Sequence, residues 1–196
     1  MILSFRKKNG MTLIVLLISC KFVKTKLMNK RVEKALNEQI HKEASSSQYY
    51  LAMASWSENN GLNGTAKFMY THSDEERFHM LKLVKFVNER GGKAIIPSVE
   101  KPPLEFSTLK NVFESLLKHE IGVTESINNL VDVCLQEKDY TTHNFVQWYV
   151  AEQLEEEALA RSMLDKLKLI GADSGGMYMF DRDLENAVNP EPNKTA

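Results

Sequence analysis

The 196-residue chain lacks several features that would point to particular protein classes. Its two cysteines, Cys20 and Cys134, form neither a disulfide framework nor a zinc-binding pattern. The formal net charge of −1 gives no reason to expect a nucleic-acid partner. Only five prolines and nine glycines occur, several of them between helical patterns, and this scarcity favours long uninterrupted helices. A chain of this length is expected to form one domain.

The first 28 residues differ from the rest of the chain. A basic stretch precedes an apolar run, residues 11–19, that is too short to span a bilayer. This order resembles a signal sequence, and the residues ending at Cys20 resemble a bacterial lipobox, which would make the protein exported or lipid-anchored. Alternatively, translation starts at Met28, with Asn29 as a helix N-cap, and the protein is cytoplasmic with no membrane contact. We favour the second interpretation and treat residues 1–28 as an N-terminal extension.

The remaining sequence has the period of amphipathic helices. Apolar stripes at helical spacing predict helices over about 29–58 and 64–90, and two more that begin near Ser107 and Thr141. About sixteen residues from Gly91 onward contain three prolines and no helical period. Fully extended they reach roughly 50 Å, whereas a helix of about 27 residues is roughly 40 Å long. The sequence therefore predicts an all-α, up-down-down-up four-helix bundle with one long crossover loop.

Polar side chains interrupt all four apolar stripes at a similar depth. Each lies about twelve to fourteen residues from the start of its helix, so aligned helices would bring them into one layer: Glu43, Glu76, Glu120 and Gln153. His79 lies three residues after Glu76, which puts both side chains on one helix face. Burying even a simpler polar group without a partner costs roughly 2–7 kcal/mol. Carboxylates with an imidazole suit iron or manganese, so the pattern predicts a buried metal site. A solvent-exposed face is the alternative, above all for the Glu155–Glu157 run.

The sequence around these positions resembles that of bacterial non-haem ferritins. The resemblance covers Met28 to about Val188, and the residues that carry it are Leu36–Ile40, Glu43, Tyr50, Glu75–His79, Glu120 and Asn144–Glu157. It implies a homo-24-mer shell that stores iron, with Fe(II) and dioxygen or hydrogen peroxide as reactants at a di-iron ferroxidase centre.

The resemblance also implies roles for single residues. Glu43, Glu76 and His79 would hold the first iron. Glu76 would bridge to a second iron held by Glu120, with Gln153 and Glu156 close by. The residues of a third iron position would be Glu75, Glu152 and Glu155, with Glu156 as a further candidate. Tyr50, Glu76 and His79 would act in catalysis, and Tyr50 and Trp148 match aromatic residues that donate electrons; core packing is the alternative for Trp148.

Departures from related families exclude other cofactors. Bacterioferritins carry a second Glu-x-x-His on the last helix, but Glu152 is followed three residues later by Glu155. They also place a haem-ligating methionine directly after the bridging glutamate, where this chain has Arg77. The sequence therefore favours a haem-free centre with His79 as its one imidazole ligand.

A short amphipathic fifth helix is predicted over residues 177–188, within a ferritin-like domain of residues 29–188. In ferritins this helix packs around a fourfold axis of the shell; capping its own bundle is the alternative. Residues 189–196 should be a disordered tail.

Two other functions stay open: a passive storage shell without oxidase activity, and a dimeric di-iron oxidase or peroxidase. His72 has either a role in iron entry or proton transfer, or a packing role.

Overall fold

The computed structural model describes residues 4–8, 11–15 and 28–187. Five helices account for most of them: α1 Lys30–Asn59, α2 Asn63–Glu89, α3 Leu109–Gln136, α4 Tyr140–Ile170 and α5 Ser174–Ala187. Two short strands, β1 Ser4–Lys8 and β2 Met11–Val15, pair antiparallel in the N-terminal segment, where the sequence predicted no strand. Cys20 and the predicted tail lie outside the described residues. No helix in the described ranges is long and apolar enough to cross a membrane.

The ends of the helices are fixed by side-chain caps. The side chain of Asn29 accepts a hydrogen bond from the Arg31 amide at 2.8 Å, which confirms the predicted N-cap of α1. At the start of α3 the cap is Thr108 rather than Ser107. The Thr108 hydroxyl accepts from the Asn111 amide at 3.0 Å, and the Asn111 side chain accepts from the Ser107 amide just before the cap.

Helices α4 and α5 begin one to three residues before the starts that the sequence predicted. Asp139 caps α4, which begins at Tyr140 rather than Thr141, because its carboxylate accepts from the Thr142 amide at 3.1 Å. The fifth helix begins at Ser174, three residues before the predicted Met177.

Contacts between helices establish the predicted direction of each chain segment. Along α1 and α3 the partners run in opposite order, so these two helices are antiparallel: Arg31 with Glu137, Gln39 with Ser126, and Tyr50 with Glu120. The same is true of α2 and α4, through His72 with Glu156, His79 with Tyr149, and Arg90 with Asp139. The bundle is therefore up-down-down-up, and the segment between α2 and α3 is the predicted crossover.

The polar layer divides the apolar core into two clusters. One cluster lies toward the end of the bundle that carries α5 and includes Tyr50, Phe113 and Phe180. The other lies toward the opposite end and includes Leu36 and Leu83. The buried glutamates therefore have apolar packing above and below them, which keeps bulk water from solvating their charges.

Helix α5 packs against its own bundle. Asp181 accepts hydrogen bonds from the Gly64 and Thr65 amides at 3.0 and 2.7 Å, and so caps α2, whose own N-cap residue Leu62 offers no acceptor. A Cβ at Gly64 would lie 1.7 Å from the Asp181 carbonyl oxygen, so only glycine permits this approach. Phe180 is buried in the same core.

Candidate metal centre

Three predicted ligands converge between α1 and α2. Glu43 comes from α1, whereas Glu76 and His79 come from successive turns of α2, and one ligand atom of each lies within 4.8 Å of the others. His79 Nδ1 is 3.6 Å from Glu76 Oε2. All three side chains are buried, with 1%, 3% and 6% exposure. The structure therefore brings together the group that the sequence predicted for a first metal position.

Two oxygens of this group receive no hydrogen bond from any residue outside the group. They are Glu43 Oε2 and Glu76 Oε2, both buried. Burial raises the pKa of both carboxyl groups well above the ordinary range, and the repulsion between Glu43 and Glu76 raises that of Glu43 further. A cation between these oxygens would satisfy both of them and remove the cost of burying their charge.

A chain of hydrogen bonds fixes the orientation of Glu43. Its Oε1 accepts from Gln39 Nε2 at 2.8 Å, and Gln39 Oε1 accepts from the Ser126 hydroxyl at 2.6 Å. This leaves Glu43 Oε2 to face Glu76 and His79. Sequence reasoning missed Gln39, although its spacing of four residues from Glu43 places both on one face of α1. The part played by Ser126 had no signal, because it depends on the packing of α3 against α1.

Glu120, on α3, lies in the same polar layer but differs from Glu43 and Glu76 in its hydrogen bonding. It is fully buried, and both its oxygens accept hydrogen bonds: Oε1 from the Tyr50 hydroxyl and Oε2 from Gln153 Nε2 at 3.0 Å. Burial raises its pKa to about 7, while the Tyr50 hydrogen bond and the nearby Lys42 oppose that rise. The structure thus places Glu120 beside Gln153, two of the residues predicted for the second position.

A second cluster lies toward the surface, between α2 and α4. It joins Glu75 and Glu156 to His72, whose Nε2 is 3.6 Å from Glu156 Oε2 and whose Nδ1 is 3.8 Å from Glu75 Oε2. Burial raises the pKa of Glu156 to about 8 and lowers that of His72 to about 4. Glu152 and Glu155 line the same cleft, of about 550 Å³, without joining the cluster.

Aromatic residues enclose the centre on both sides. Tyr50 is fully buried beside Glu120, and Tyr149 donates a hydrogen bond to the His79 carbonyl at 2.9 Å. The Trp148 ring meets the His79 ring edge to face, with 5.2 Å between centroids. Arg77, at the position of the haem-ligating methionine of bacterioferritins, is exposed.

The comparison with known protein families agrees with this geometry. Residues 33–170 match the ferritin-like domain of the Ferritin family. The chain belongs to the ferritin family. This ferritin is 45% identical over 160 residues to a probable bacterial non-heme ferritin-like protein of Haemophilus influenzae, across 82% of this chain and 97% of that protein. It is 44% identical over 160 residues to a bacterial non-heme ferritin of Campylobacter jejuni, across 82% and 96%.

A solved structure supports the same assignment for this ferritin. The open pore ferritin of the archaeon Archaeoglobus fulgidus superimposes with a TM-score of 0.80 at 42% identity, across 81% of this chain and 96% of that chain. These findings confirm the predicted resemblance to bacterial non-haem ferritins and the predicted fold.

Proposed function

We propose that this ferritin stores iron by oxidising Fe(II) at a di-iron ferroxidase centre and depositing the ferric product in a shell of 24 subunits. Iron storage follows from membership of the family. The oxidase activity rests on one observation, the pair of buried carboxylate oxygens without a hydrogen-bond donor at Glu43 and Glu76. A protein core leaves such atoms unpaired only rarely, and a site for a passing cation is a physical reason to do so.

The donor set fits iron. Glu43 and Glu76 supply hard carboxylate oxygens, and His79 supplies one imidazole, a combination that suits Fe(II) while leaving positions open for dioxygen. Carboxylates stabilise Fe(III) more than Fe(II), because the ferric ion carries the higher charge. The centre therefore lowers the reduction potential of the bound iron and favours its oxidation. Two Fe(II) ions give up one electron each, which reduces dioxygen to the level of hydrogen peroxide; peroxide itself is the alternative oxidant.

The second iron would share Glu76 with the first. Glu120 would bind it from α3, with Gln153 and Glu156 close by. Glu120 has its charge only partly compensated, since its hydrogen bonds come from the neutral donors Tyr50 and Gln153. The cleft between α2 and α4 would hold a third iron on its way from the pair to the mineral; its proposed ligands are Glu75, Glu152, Glu155 and Glu156, all of which line it. Carboxylates suit a site that must release its product.

Stopped-flow absorbance after mixing the metal-free protein with Fe(II) in air tests the oxidase activity. Glu76→Ala and His79→Ala should each abolish the fast phase, because they remove the bridging carboxylate and the one imidazole. Glu114→Gln is a matched control, since Glu114 is exposed and pairs with Lys110 on the surface. The proposal fails if both alanine variants oxidise iron at the wild-type rate. A slow wild-type reaction, equal to that of the variants, would indicate a passive storage shell.

Sizing of the purified protein tests the assembly. Twenty-four copies of a 22.4 kDa chain make a particle of about half a megadalton. A species of some tens of kilodaltons with retained activity would indicate the dimeric di-iron oxidase or peroxidase instead. The alanine variants should elute with the wild type, since their substitutions lie inside the bundle and away from its outer faces.

A further inference from the structure

Two of the aromatic side chains that border the centre, Tyr50 and Trp148, lie in opposite electrostatic surroundings. Tyr50 donates its hydroxyl hydrogen bond to Glu120, and burial together with the charges of Glu120 and Glu76 raises its pKa well above the ordinary value. Trp148 is half-buried on the other side, with its ring 5.2 Å from the His79 ring. Both rings are therefore close enough to the ligands to give up an electron to the reaction.

A lysine ammonium lies over the face of the tryptophan. Lys82 is three residues after His79 on α2, and its Nζ is 3.2 Å from the centroid of the Trp148 ring. The same atom is 6.0 Å from the Phe78 centroid. A cation in this position is attracted to the negative face of the neutral ring, and tryptophan is the strongest of the aromatic partners. Partial burial lowers the pKa of Lys82, and the carboxylate of Glu152 opposes that shift.

The interaction between the Lys82 ammonium and the Trp148 ring changes from attraction to repulsion when the ring is oxidised. Loss of one electron leaves a positive charge on the indole next to the ammonium, and like charges at so short a distance repel. Lys82 therefore opposes the oxidation of Trp148. The surroundings of Tyr50 act in the other direction, because its hydroxyl is hydrogen-bonded to the Glu120 carboxylate, whose negative charge favours loss of an electron from the ring.

We infer that Lys82 keeps Trp148 reduced and so directs one-electron oxidation at the centre to Tyr50. Lys82 is a positioning residue, since it acts through the ring and not on iron. Under the proposed function, on which this part rests, the oxidant is dioxygen already reduced in part by two Fe(II) ions. It gains one further electron from Tyr50, whose hydroxyl proton passes to Glu120. Without Lys82, Trp148 supplies that electron and its Nε1 proton passes to solvent.

The experiment compares Lys82→Met, which removes the charge and keeps the length of the side chain, with Lys82→Arg, which keeps the charge. Both are made in a Trp56→Phe background, so that Trp148 is the one tryptophan of the chain. Metal-free protein is treated with chlorine dioxide, a neutral oxidant that takes one electron from indole and becomes chlorite. Mass spectrometry follows the oxidised Trp148 peptide, and acrylamide quenching of its fluorescence checks that access to the ring is unchanged.

Oxidation of Trp148 should be at least fivefold faster in Lys82→Met, whereas Lys82→Arg should stay within twofold of the parent. Equal rates in all three proteins overturn the inference, as does an equal acceleration in both variants, because the charge would then have no role. This arm contains no iron, so it decides the effect of Lys82 even if the proposed oxidase activity fails.

A second arm follows the radical formed during iron oxidation. Protein containing ring-deuterated tyrosine is mixed with Fe(II) in air, frozen within milliseconds and measured by electron paramagnetic resonance. The parent and Lys82→Arg should show a deuterium-narrowed tyrosyl spectrum, and Lys82→Met should show a tryptophanyl spectrum that deuterated tyrosine does not change. A tyrosyl spectrum of unchanged yield in Lys82→Met contradicts the directing role of Lys82.

Discussion

The two halves of the centre satisfy their carboxylates in different ways. In the half built from α1 and α2, Glu43 and Glu76 each keep one buried oxygen without a donor. In the half completed by α3 and α4, both oxygens of Glu120 accept hydrogen bonds, from Tyr50 and Gln153. The first half therefore has two oxygens that a bound cation or a retained proton must satisfy, whereas the second is partly satisfied by the protein itself. We expect the first cation to enter at Glu43, Glu76 and His79, and the second to share Glu120 with its donors.

Glu43→Gln should have the largest effect on the difference in metal affinity between the two halves. The substitution keeps the shape of the side chain but removes the ligand charge from the unsatisfied half. Loss of an outer hydrogen-bond partner alone costs roughly 10–100-fold in metal affinity, so loss of a ligand charge should weaken the tighter site by at least about 100-fold. Anaerobic titration with Co(II), followed by visible absorption, measures this. Glu38→Gln, on the exposed face of the same helix, is the control; if both variants bind alike, the first half is not the tighter site.

The stability of the metal-free protein should fall as pH rises through neutrality. Glu120, with a pKa of about 7, and Glu156, with a pKa of about 8, hold protons in the folded state that they lose near 4.5 when unfolded. Glu43 and Glu76 act in the same direction. Because the folded state binds more protons, the free energy of unfolding decreases with pH, by about 2 kcal/mol between pH 6.5 and 8 from Glu120 and Glu156 alone.

Two histidines, the buried His72 and the half-buried His119, set the lower limit of that window. His72 and His119 have their pKa lowered to about 4 by burial, so they increase stability as pH rises from about 4 to 6.5. Between pH 6.5 and about 7.5 the unfolded state still loses histidine protons, which offsets part of the decline from the carboxylates; above that pH the carboxylates alone change. Urea unfolding at pH 6.5, 7.2 and 8, with and without Co(II), measures the slope. Bound Co(II) should remove it, and a slope that is flat or rising without metal would contradict the account.

The sequence predicted the depth of the polar layer better than its internal contacts. Helical period and the distance from each helix start placed Glu43, Glu76 and Glu120 at one level, and the structure buries all three. The hydrogen bond from Tyr50 to Glu120 was not predictable, because it depends on how α1 and α3 rotate about their axes. The same holds for Ser126, and for His72, whose partner Glu156 lies on another helix.

Helix ends show a similar limit. The local sequence offered two hydroxyl residues in succession, Ser107 and Thr108, and only the backbone geometry decides which accepts from Asn111. The start of α5 at Ser174 is set by Asp173, whose carboxylate accepts a hydrogen bond from the Gly176 amide at 2.6 Å. The β1–β2 pair had no counterpart among the sequence predictions, since the apolar run there was interpreted as a signal-like segment or an unused start.

Tyr50→Phe should make the two halves of the centre more alike in how their carboxylates are satisfied. It removes the hydrogen bond to Glu120 Oε1 and leaves that oxygen without a donor, like the free oxygens of Glu43 and Glu76. Hydrogen bonds to charged groups contribute roughly 1.5–3 kcal/mol, so the second Co(II) should bind about tenfold more tightly while the first is unchanged. The same anaerobic titration measures both steps. A weaker second site in this variant would mean that Tyr50 assists metal binding at Glu120 instead of competing with it.

Smaller effects are expected at the relay that orients Glu43. Gln39→Leu removes the donor to Glu43 Oε1, so the carboxylate is held less firmly and the first Co(II) should bind about tenfold more weakly. Ser126→Ala leaves the Gln39 amide in place, so its effect should be about two- to threefold. An equal loss in both variants would show that Gln39 acts on the bundle as a whole.

The most direct test is anomalous diffraction from crystals soaked with Fe(II) in air, recorded at the iron absorption edge. The account predicts a strong peak within bonding distance of Glu43, Glu76 and His79, and a weaker one between Glu76 and Glu120. Iron confined to the outer cleft or to the protein surface, with the first position empty, would contradict it.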